Sequence, residues 1–212
     1  MVSGWHYTRW IAAAAALVLP ASLLLAARPS HTDIPASPAS LTGQLLIASP
    51  QMHDPPFART VILMAQHNRG GALGVVINRP LEQPRAIAGL LAAFGADASG
   101  VTESVRVFVG GPVNPQVGFV LHSAEYRVAG TLDIDGRLAL TAAVDILRDI
   151  GLHKGPSKSL VAFGYAGWAP AQLESEMAHG AWVTVPEDPA LVFDEDRAQV
   201  WADALARYKP SH

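Results

Sequence analysis

The sequence predicts an α/β domain of the α+β kind, with a mixed, mostly antiparallel sheet and a few packed helices. Three observations lead to this prediction. Short apolar runs of strand length outnumber amphipathic helical segments. Several of these runs are joined by tight turns, which favours hairpins. No regular alternation of strand and helix is present, as a parallel sheet would require.

The first strands are predicted from apolar runs bounded by turn residues. Gln44–Ala48 reads QLLIA and precedes the loop Gln51–Phe57, whose Asp-Pro-Pro sequence blocks a helix. The next two candidates are Thr60–Gln66 and Leu73–Asn78. The segment between them, His67–Gly71, ends in paired glycines that supply the positive φ of a tight connection, so a β-hairpin is predicted here.

The middle of the domain combines helices with further strands. A helix is predicted from Pro84 to Gly95, and Thr141 is predicted to cap a second helix that ends at Gly151. The first of these helices repeats apolar side chains at a spacing of three and four residues: Ile87, Leu90, Leu91 and Phe94. The strands expected in this part are Val105–Val109, Val117–His122, Thr131–Ile134 and Leu138–Leu140.

The C-terminal part begins with a predicted strand, Ser159–Gly164, and continues into a short helix from Ala171 to His179. Pro170 fits the first position of that helix. Asp194 is predicted to cap a terminal helix that presents three apolar residues to the core: Val200, Trp201 and Leu205. The final strands are expected at Ala181–Val185 and Leu191–Phe193.

The N-terminal residues differ in composition from the rest and predict three parts. Residues 1–28 form a hydrophobic leader, because Trp10–Ala27 carries no charge. Residues 29–40 are rich in Pro and Ser and predict an extended linker, so the globular domain is expected at 41–212. The leader favours a single-pass anchor in the inner membrane. Export after signal cleavage and, if the start is mis-assigned, a cytoplasmic protein are the alternatives.

Composition excludes several classes of site. The chain has no cysteine, which rules out disulfides, thiolate nucleophiles and cysteine zinc sites. Its net charge is −3 and it has no basic run, so nothing indicates a surface for nucleic acid. No GxSxG segment is present, and nucleophilic hydrolysis has no positive support.

Six short motifs occur in a defined order along the domain. Together they resemble the YqgE/AlgH family of bacterial proteins, and the resemblance covers Gly43 to about Trp201. Any one of them is a weak signal, but six in the same order are specific. They are Ala48-x-Pro50 with Asp54-Pro55-x-Phe57-x-Arg59-Thr60-Val61, Gly71–Pro80 (GALGVVINRP), Gly110–Val113 (GGPV), Gly118–His122 (GFVLH), Gly164–Trp168 (GYAGW) and Gln172–Glu174 (QLE).

The resemblance implies a bifurcated, mostly antiparallel sheet that curls into a pseudo-barrel with flanking helices. It implies little about chemistry, because no catalytic residue set is agreed for the family. The family's name comes from a proposed transcriptional regulator of alginate production. Two departures matter: the family usually has Gly-Pro-Gly where this chain has Ala169-Pro170-Ala171, and it usually lacks a leader.

Polar side chains at predicted turns are candidates for a binding site. Asp54 and Arg59 bracket one loop, and they predict either an ion pair that fixes the loop or an arginine that holds an anionic ligand. Asn78 and Arg79 end the predicted hairpin, either as a turn or as ligand-binding groups at the rim of the sheet. Gly110-Gly111-Pro112 predicts a tight turn, with an anion-binding nest of amides as the alternative.

Three more candidates are His122, Trp168 and Glu174. His122 lies at a predicted strand end and, with His53 and His67, has the chemistry of a metal ligand. The spacing of a metal motif is absent, so neither a metal nor a cofactor is predicted. Trp168 is expected to anchor the core or an interface. Glu174 is expected to cap its own helix, with a general base as the alternative.

These residues favour a non-enzymatic binding or regulatory domain tethered at the membrane, because no catalytic constellation is recognisable. Its partner is expected to be a protein or a small molecule, besides the membrane reached through the leader. One alternative is a transcriptional regulator, as proposed for the family. The other is an enzyme of unknown reaction whose polar pocket is formed by six candidates: Asp54, Arg59, Asn78, Arg79, His122 and Glu174.

Overall fold

The computed structural model describes residues 40–209. These residues belong to one of the two units into which the chain divides, residues 37–212. The predicted leader, residues 1–28, and residues 29–39 of the predicted linker lie outside the described residues. Among the described residues, no helix combines the length and the hydropathy needed to cross a membrane.

The domain contains eleven strands and five helices between residues 40 and 209. The strands are β1 Gln44–Ala48, β2 Val61–Asn68, β3 Gly71–Val76, β4 Arg85–Ala86, β5 Ser104–Val105, β6 Val107–Val109, β7 Val113–Ser123, β8 Leu132–Asp133, β9 Leu138–Thr141, β10 Ser159–Trp168 and β11 Trp182–Pro186. The helices are α1 Ile87–Ala93, α2 Asp145–Gly151, α3 Gln172–Ala178, α4 Pro189–Val192 and α5 Val200–Arg207.

Nine of these strands form one sheet in the order β11-β1-β2-β3-β10-β7-β9-β8, with β6 also paired to β10. Every pair is antiparallel except β6 with β10. The sheet curls into a half-barrel flanked by the five helices, so the predicted fold class is confirmed. The two remaining strands, β4 and β5, pair with each other.

The sheet divides at Gly164. The first part of β10 pairs with β6 and β7, whereas its end pairs with β3. Gly164 has a φ of 76° and lies at a β-bulge that turns the strand. The backbone of Gly111 packs so closely against Gly164 and Tyr165 that neither glycine has room for a Cβ. The Gly110 amide donates to the Phe163 carbonyl at 2.7 Å. This geometry is the close approach of residues 110–111 to β10, on the path from β6 to β7, which both pair with β10.

The core has three parts. The largest lies on the face of the sheet that α4 and α5 cover, around Leu45, Ile47 and Val200. A second lies on the opposite face, around Trp168 and Trp182, where Leu173 of α3 packs against it. The third lies between the sheet and helices α1 and α2. Burial on both faces explains the continuous apolar run of β1.

Most predicted strands are confirmed, but several boundaries moved. The helix expected from Pro84 begins at Ile87, because Arg85–Ala86 pairs with β5. The single strand expected at Val105–Val109 is divided between β5 and β6. Pro170 does not occupy the first position of α3, because the cap residue Ala171 stands between them.

The strand predicted at Leu191–Phe193 is wrong. This segment contains the end of α4, and the Asp188 carboxylate caps that helix by accepting a hydrogen bond from the Ala190 amide at 2.8 Å. Two predicted caps are wrong as well. Thr141 belongs to β9 and α2 begins only at Asp145. Asp194 precedes α5, whose cap position is taken by residue 199.

Candidate functional site

Ser49–Arg59, which we call the recognition loop, is held at its base by Asn78. The Asn78 side chain accepts a hydrogen bond from the Val61 amide at 2.9 Å and donates to the Arg59 carbonyl at 3.0 Å. The amide thereby ties the end of the loop to the segment that follows β3. Its oxygen and one of its N–H groups both form hydrogen bonds to the backbone, so Asn78 has a structural role here.

Arg79 supports the same loop from below. Its guanidinium Nη2 donates to the carbonyl of Ala58 at 3.0 Å and to that of Pro55 at 3.4 Å. Among residues 40–209 no carboxylate pairs with this guanidinium. Partial burial without a counterion lowers the pKa of Arg79.

Arg59 and Asp54 do not form the ion pair that the sequence suggested for this loop. The Arg59 guanidinium instead lies over the Trp201 ring, 4.9 Å from its centroid. The Asp54 backbone carbonyl accepts hydrogen bonds from the amides of Phe57 and Ala58, both at 2.9 Å. The tip of the loop, residues 53–56, is exposed. The loop is therefore fixed by backbone contacts and presents its tip to solvent.

Trp168 is buried, as predicted for a core anchor, and it shares a carboxylate with a second tryptophan. The indole N–H groups of Trp168 and Trp182 both donate to Oε2 of Glu176, at 2.9 and 2.8 Å. Oε1 of Glu176 accepts a third hydrogen bond from Gln172 at 2.9 Å. Glu176 thus fastens α3 to the sheet through two aromatic side chains that lie edge to face.

Glu174 does not cap its own helix, because no side chain caps α3. Its Oε1 lies 3.0 Å from Nε2 of His67, at the end of β2. The Leu41 amide donates to Nδ1 of the same imidazole at 3.0 Å. Because Nδ1 accepts, Nε2 carries the hydrogen and donates to the carboxylate. His67 therefore links α3 to the first residues of the domain.

His122 is fully buried and belongs to a separate hydrogen-bonded chain. Its Nδ1 donates to the carbonyl of Ser123 at 2.9 Å, so Nε2 accepts from the Thr141 hydroxyl at 2.9 Å. Thr141 accepts in turn from Thr131 at 2.8 Å. Burial lowers the pKa of His122 and favours the neutral ring that this arrangement requires.

The seven candidates therefore fall into three places. Four of them belong to the recognition loop and its supports. Trp168 and Glu174 bind α3 to the sheet, and Phe57 of the loop reaches the same aromatic cluster through Trp182, 5.6 Å away. His122 hydrogen-bonds none of the other six. Between these three places the described residues show no hydrogen bond or ion pair that joins one candidate side chain to another.

Sequence reasoning missed a buried acidic pair. Glu187 has only 1% of its side chain exposed, and Arg137 lies against it. Burial and the neighbouring Asp135 carboxylate raise the pKa of Glu187 to about 7. A lone Glu before Asp188 has no local pattern that would reveal its burial. Among residues 40–209 no group of three His, Asp or Glu side chains has the arrangement of a metal site.

Similarity to known proteins gives the family. Residues 45–212 match the AlgH-like family model. The chain belongs to the AlgH-like family. A UPF0301 protein from Jannaschia sp. (strain CCS1) is 45% identical over 167 residues, which are 78% of this chain and 86% of that protein. A UPF0301 protein from Rhodospirillum rubrum is 42% identical over 167 residues, covering 79% of this chain and 86% of its own length.

Two solved structures are similar to this AlgH-like chain. The solution structure of the AlgH protein from Pseudomonas aeruginosa gives a TM-score of 0.67 at 38% identity, covering 84% of this chain and 98% of that one. The crystal structure of a protein from Corynebacterium diphtheriae gives a TM-score of 0.62 at 26% identity, covering 79% and 86%. The family resemblance inferred from the six motifs is confirmed.

Proposed function

We propose that this domain is a non-enzymatic binding module whose working surface is the recognition loop, and that the N-terminal leader holds it at a membrane. The observation that supports the binding role is the use made of the polar candidates. The side chains of Asn78 and Arg79 form hydrogen bonds with the backbone of the loop and of Val61 just after it. Catalysis needs groups that converge on one reacting atom, whereas these groups support an exposed segment.

A loop fixed in this way suits binding. A flexible loop loses conformational freedom when it meets a partner, and that loss weakens the complex. Here the tip is already held from both sides, by Arg79 through the carbonyls of Pro55 and Ala58 and by the turn that the Asp54 carbonyl closes. The two prolines at positions 55 and 56 restrict the tip further. The partner therefore meets a preorganised surface.

The membrane part of the proposal rests on the leader. Trp10–Ala27 is uncharged and close to the length that a spanning helix needs. A Pro/Ser-rich linker then separates it from the domain and provides reach. An anchor of this kind would hold the domain at a membrane.

Crosslinking in the native bacterium tests the binding role. The full-length protein is compared with a His53→Ala/Asp54→Ala variant at the tip of the loop. The matched control is Arg69→Gln at the exposed turn between β2 and β3. We expect one partner to be lost with the tip variant and retained with the control, at unchanged melting temperature. A partner captured equally by all three proteins would contradict the proposed surface.

Cell fractionation tests the tether separately. The full-length protein is compared with a variant that lacks residues 1–40. We expect the full-length protein in the membrane fraction and the truncated protein in the soluble fraction. Recovery of the full-length protein in the soluble fraction would refute the anchor and leave the binding role standing.

A further inference from the structure

Arg59 is held in an unusual position by three independent features. Its backbone has a φ of 57°, a left-handed conformation that costs free energy for any residue with a side chain. Its carbonyl is held by Asn78 at 3.0 Å. Its guanidinium lies over the Trp201 ring, 4.9 Å from the ring centroid. Because this backbone strain is retained at an exposed residue, it indicates a role for the Arg59 side chain.

The Arg59 guanidinium has a cation–π contact with Trp201 but no carboxylate partner among residues 40–209. Across residues 40–209 its guanidinium makes no hydrogen bond and no ion pair. The cation–π contact with Trp201 does not use the N–H donors of the group, which stay available.

Arg79 brings a second positive charge to the backbone of the same loop. It donates to the carbonyl of Ala58, the residue before Arg59, while Asn78, the residue before Arg79, holds the Arg59 carbonyl. Hydrogen bonds thus link Arg79 to the residue before Arg59, and Arg59 to the residue before Arg79. Arg79 uses Nη2 alone, and the rest of its guanidinium makes no contact with a carboxylate of the described residues.

Other charges near the loop include Asp54 and Arg197, and the carboxylates of Asp194 and Glu195 interact with Arg197. Asp54 is exposed at the tip and pairs with neither arginine. Arg197 binds the Ile77 carbonyl at 3.4 Å and the Val192 carbonyl at 2.8 Å, and so adds a third positive charge close to Asn78. Planar guanidinium groups with free donors match the oxygens of phosphate and carboxylate groups.

We propose that Arg59, supported by Arg79, binds an oxyanion, a phosphate or carboxylate group, at the base of the recognition loop. The inference rests on the proposed binding role of that loop and names the chemistry that its ligand carries. Arg59 combines a left-handed backbone with a side chain that lies over the Trp201 ring. Arg79 adds charge and keeps the loop in place.

NMR titration of the full-length protein tests the site. The indole N–H of Trp201 donates to the Ala48 carbonyl at 2.8 Å and reports on the ring under Arg59. Inorganic phosphate and acetate are titrated separately, at ionic strength held constant with chloride, so that the two oxyanions are distinguished from each other and from salt. We expect a saturable shift of the Trp201 signal with at least one of the two.

Arg59→Gly is the decisive variant, because glycine adopts the left-handed backbone without strain and the loop keeps its shape. Arg69→Gln removes the same charge elsewhere and is the control. We expect Arg59→Gly to melt near the wild-type temperature and to weaken anion binding by about tenfold or more, since a charge-assisted contact is lost. The control should bind as the wild type does.

The proposal is overturned if neither anion gives a saturable shift, or if Arg59→Gly binds as tightly as the control. These outcomes leave the binding role testable, because the crosslinking variant changes the tip and retains both arginines. If the tip variant loses its crosslinked partner while neither anion shifts the Trp201 signal, the binding role is supported and the oxyanion site is refuted.

Discussion

Glu187 and Asp135 meet where the turn between β8 and β9 packs against the end of β11. Asp135 also packs against Gly43, just before β1, where an added Cβ would lie 3.2 Å from the Asp135 Cβ. Asp135 keeps a pKa below its ordinary value, while the pKa of Glu187 rises to about 7. Glu187 is therefore the protonated member of the pair below about pH 7, and this contact joins one end of the sheet to the other.

The acidic pair predicts a pH dependence of stability. Because the folded pKa of Glu187 is raised, its contribution is present below about pH 4.5 and is lost as the pH rises through 7. Arg137 on the same turn opposes the shift, and Asp188 of the α4 cap, paired with Arg207, adds to it. Between pH 5 and 7.5 we expect the free energy of unfolding of the wild type to fall by roughly 2 kcal/mol more than that of Glu187→Gln.

Urea unfolding at several pH values measures this effect. Glu195→Gln is the control, because the Glu195 side chain is 90% exposed. Parallel pH profiles for wild type and Glu187→Gln would show that the buried carboxyl does not titrate in this range.

Ala171 predicts a stabilising substitution. It caps α3 with a φ of 62°, in the left-handed region that favours glycine. We expect Ala171→Gly to raise the free energy of unfolding by about 0.5–1 kcal/mol, since relief of strain exceeds the added chain entropy. Ala178→Gly, at the last residue of the same helix, should lower it, because glycine is less favourable than alanine in a helical conformation. Destabilisation by both glycines, measured by chemical unfolding, would refute the strain at position 171.

Glu176 is expected to be the most costly carboxylate to remove from α3. Glu176→Ala leaves the indole N–H groups of Trp168 and Trp182 without their acceptor. We expect a loss of about 2–4 kcal/mol in unfolding free energy, with Glu176→Gln nearer to wild type because one carbonyl oxygen remains. The exposed Glu82 provides a control through Glu82→Ala. Equal losses for Glu176→Ala and Glu82→Ala in urea titrations would rule out this anchoring role.

His122 is expected to contribute to the stability of the fold in a way that is lost in acid. Its folded pKa is lowered by burial, so its stabilising effect is present above about pH 6.5 and is lost as the pH falls through the folded pKa. We expect the stability gap between wild type and His122→Gln to be widest near pH 7 and to narrow toward pH 5. The exposed His153 gives the control His153→Gln. Thermal unfolding across this range measures the gap, and a gap independent of pH would contradict a buried neutral imidazole.

Local patterns predicted much of the fold. β1 was predicted with the bounds that the structure shows, because both of its faces are apolar and turn residues follow it. The hairpin at His67–Gly71 was predicted from its glycines, and the structure pairs Asn68 with Gly71 there. Leu191–Phe193 was predicted wrongly as a strand, because a short apolar run does not distinguish a strand from one turn of helix.

The sequence by itself determined the family, the strand and hairpin pattern, and which polar residues stand at turns. Only the tertiary structure decided their partners, because a hydrogen bond such as that between His67 and Glu174 joins positions 107 residues apart. Apolar periodicity is a local property of the chain, whereas burial of Glu187 and the cation–π contact of Arg59 with Trp201 arise when distant strands and helices pack together.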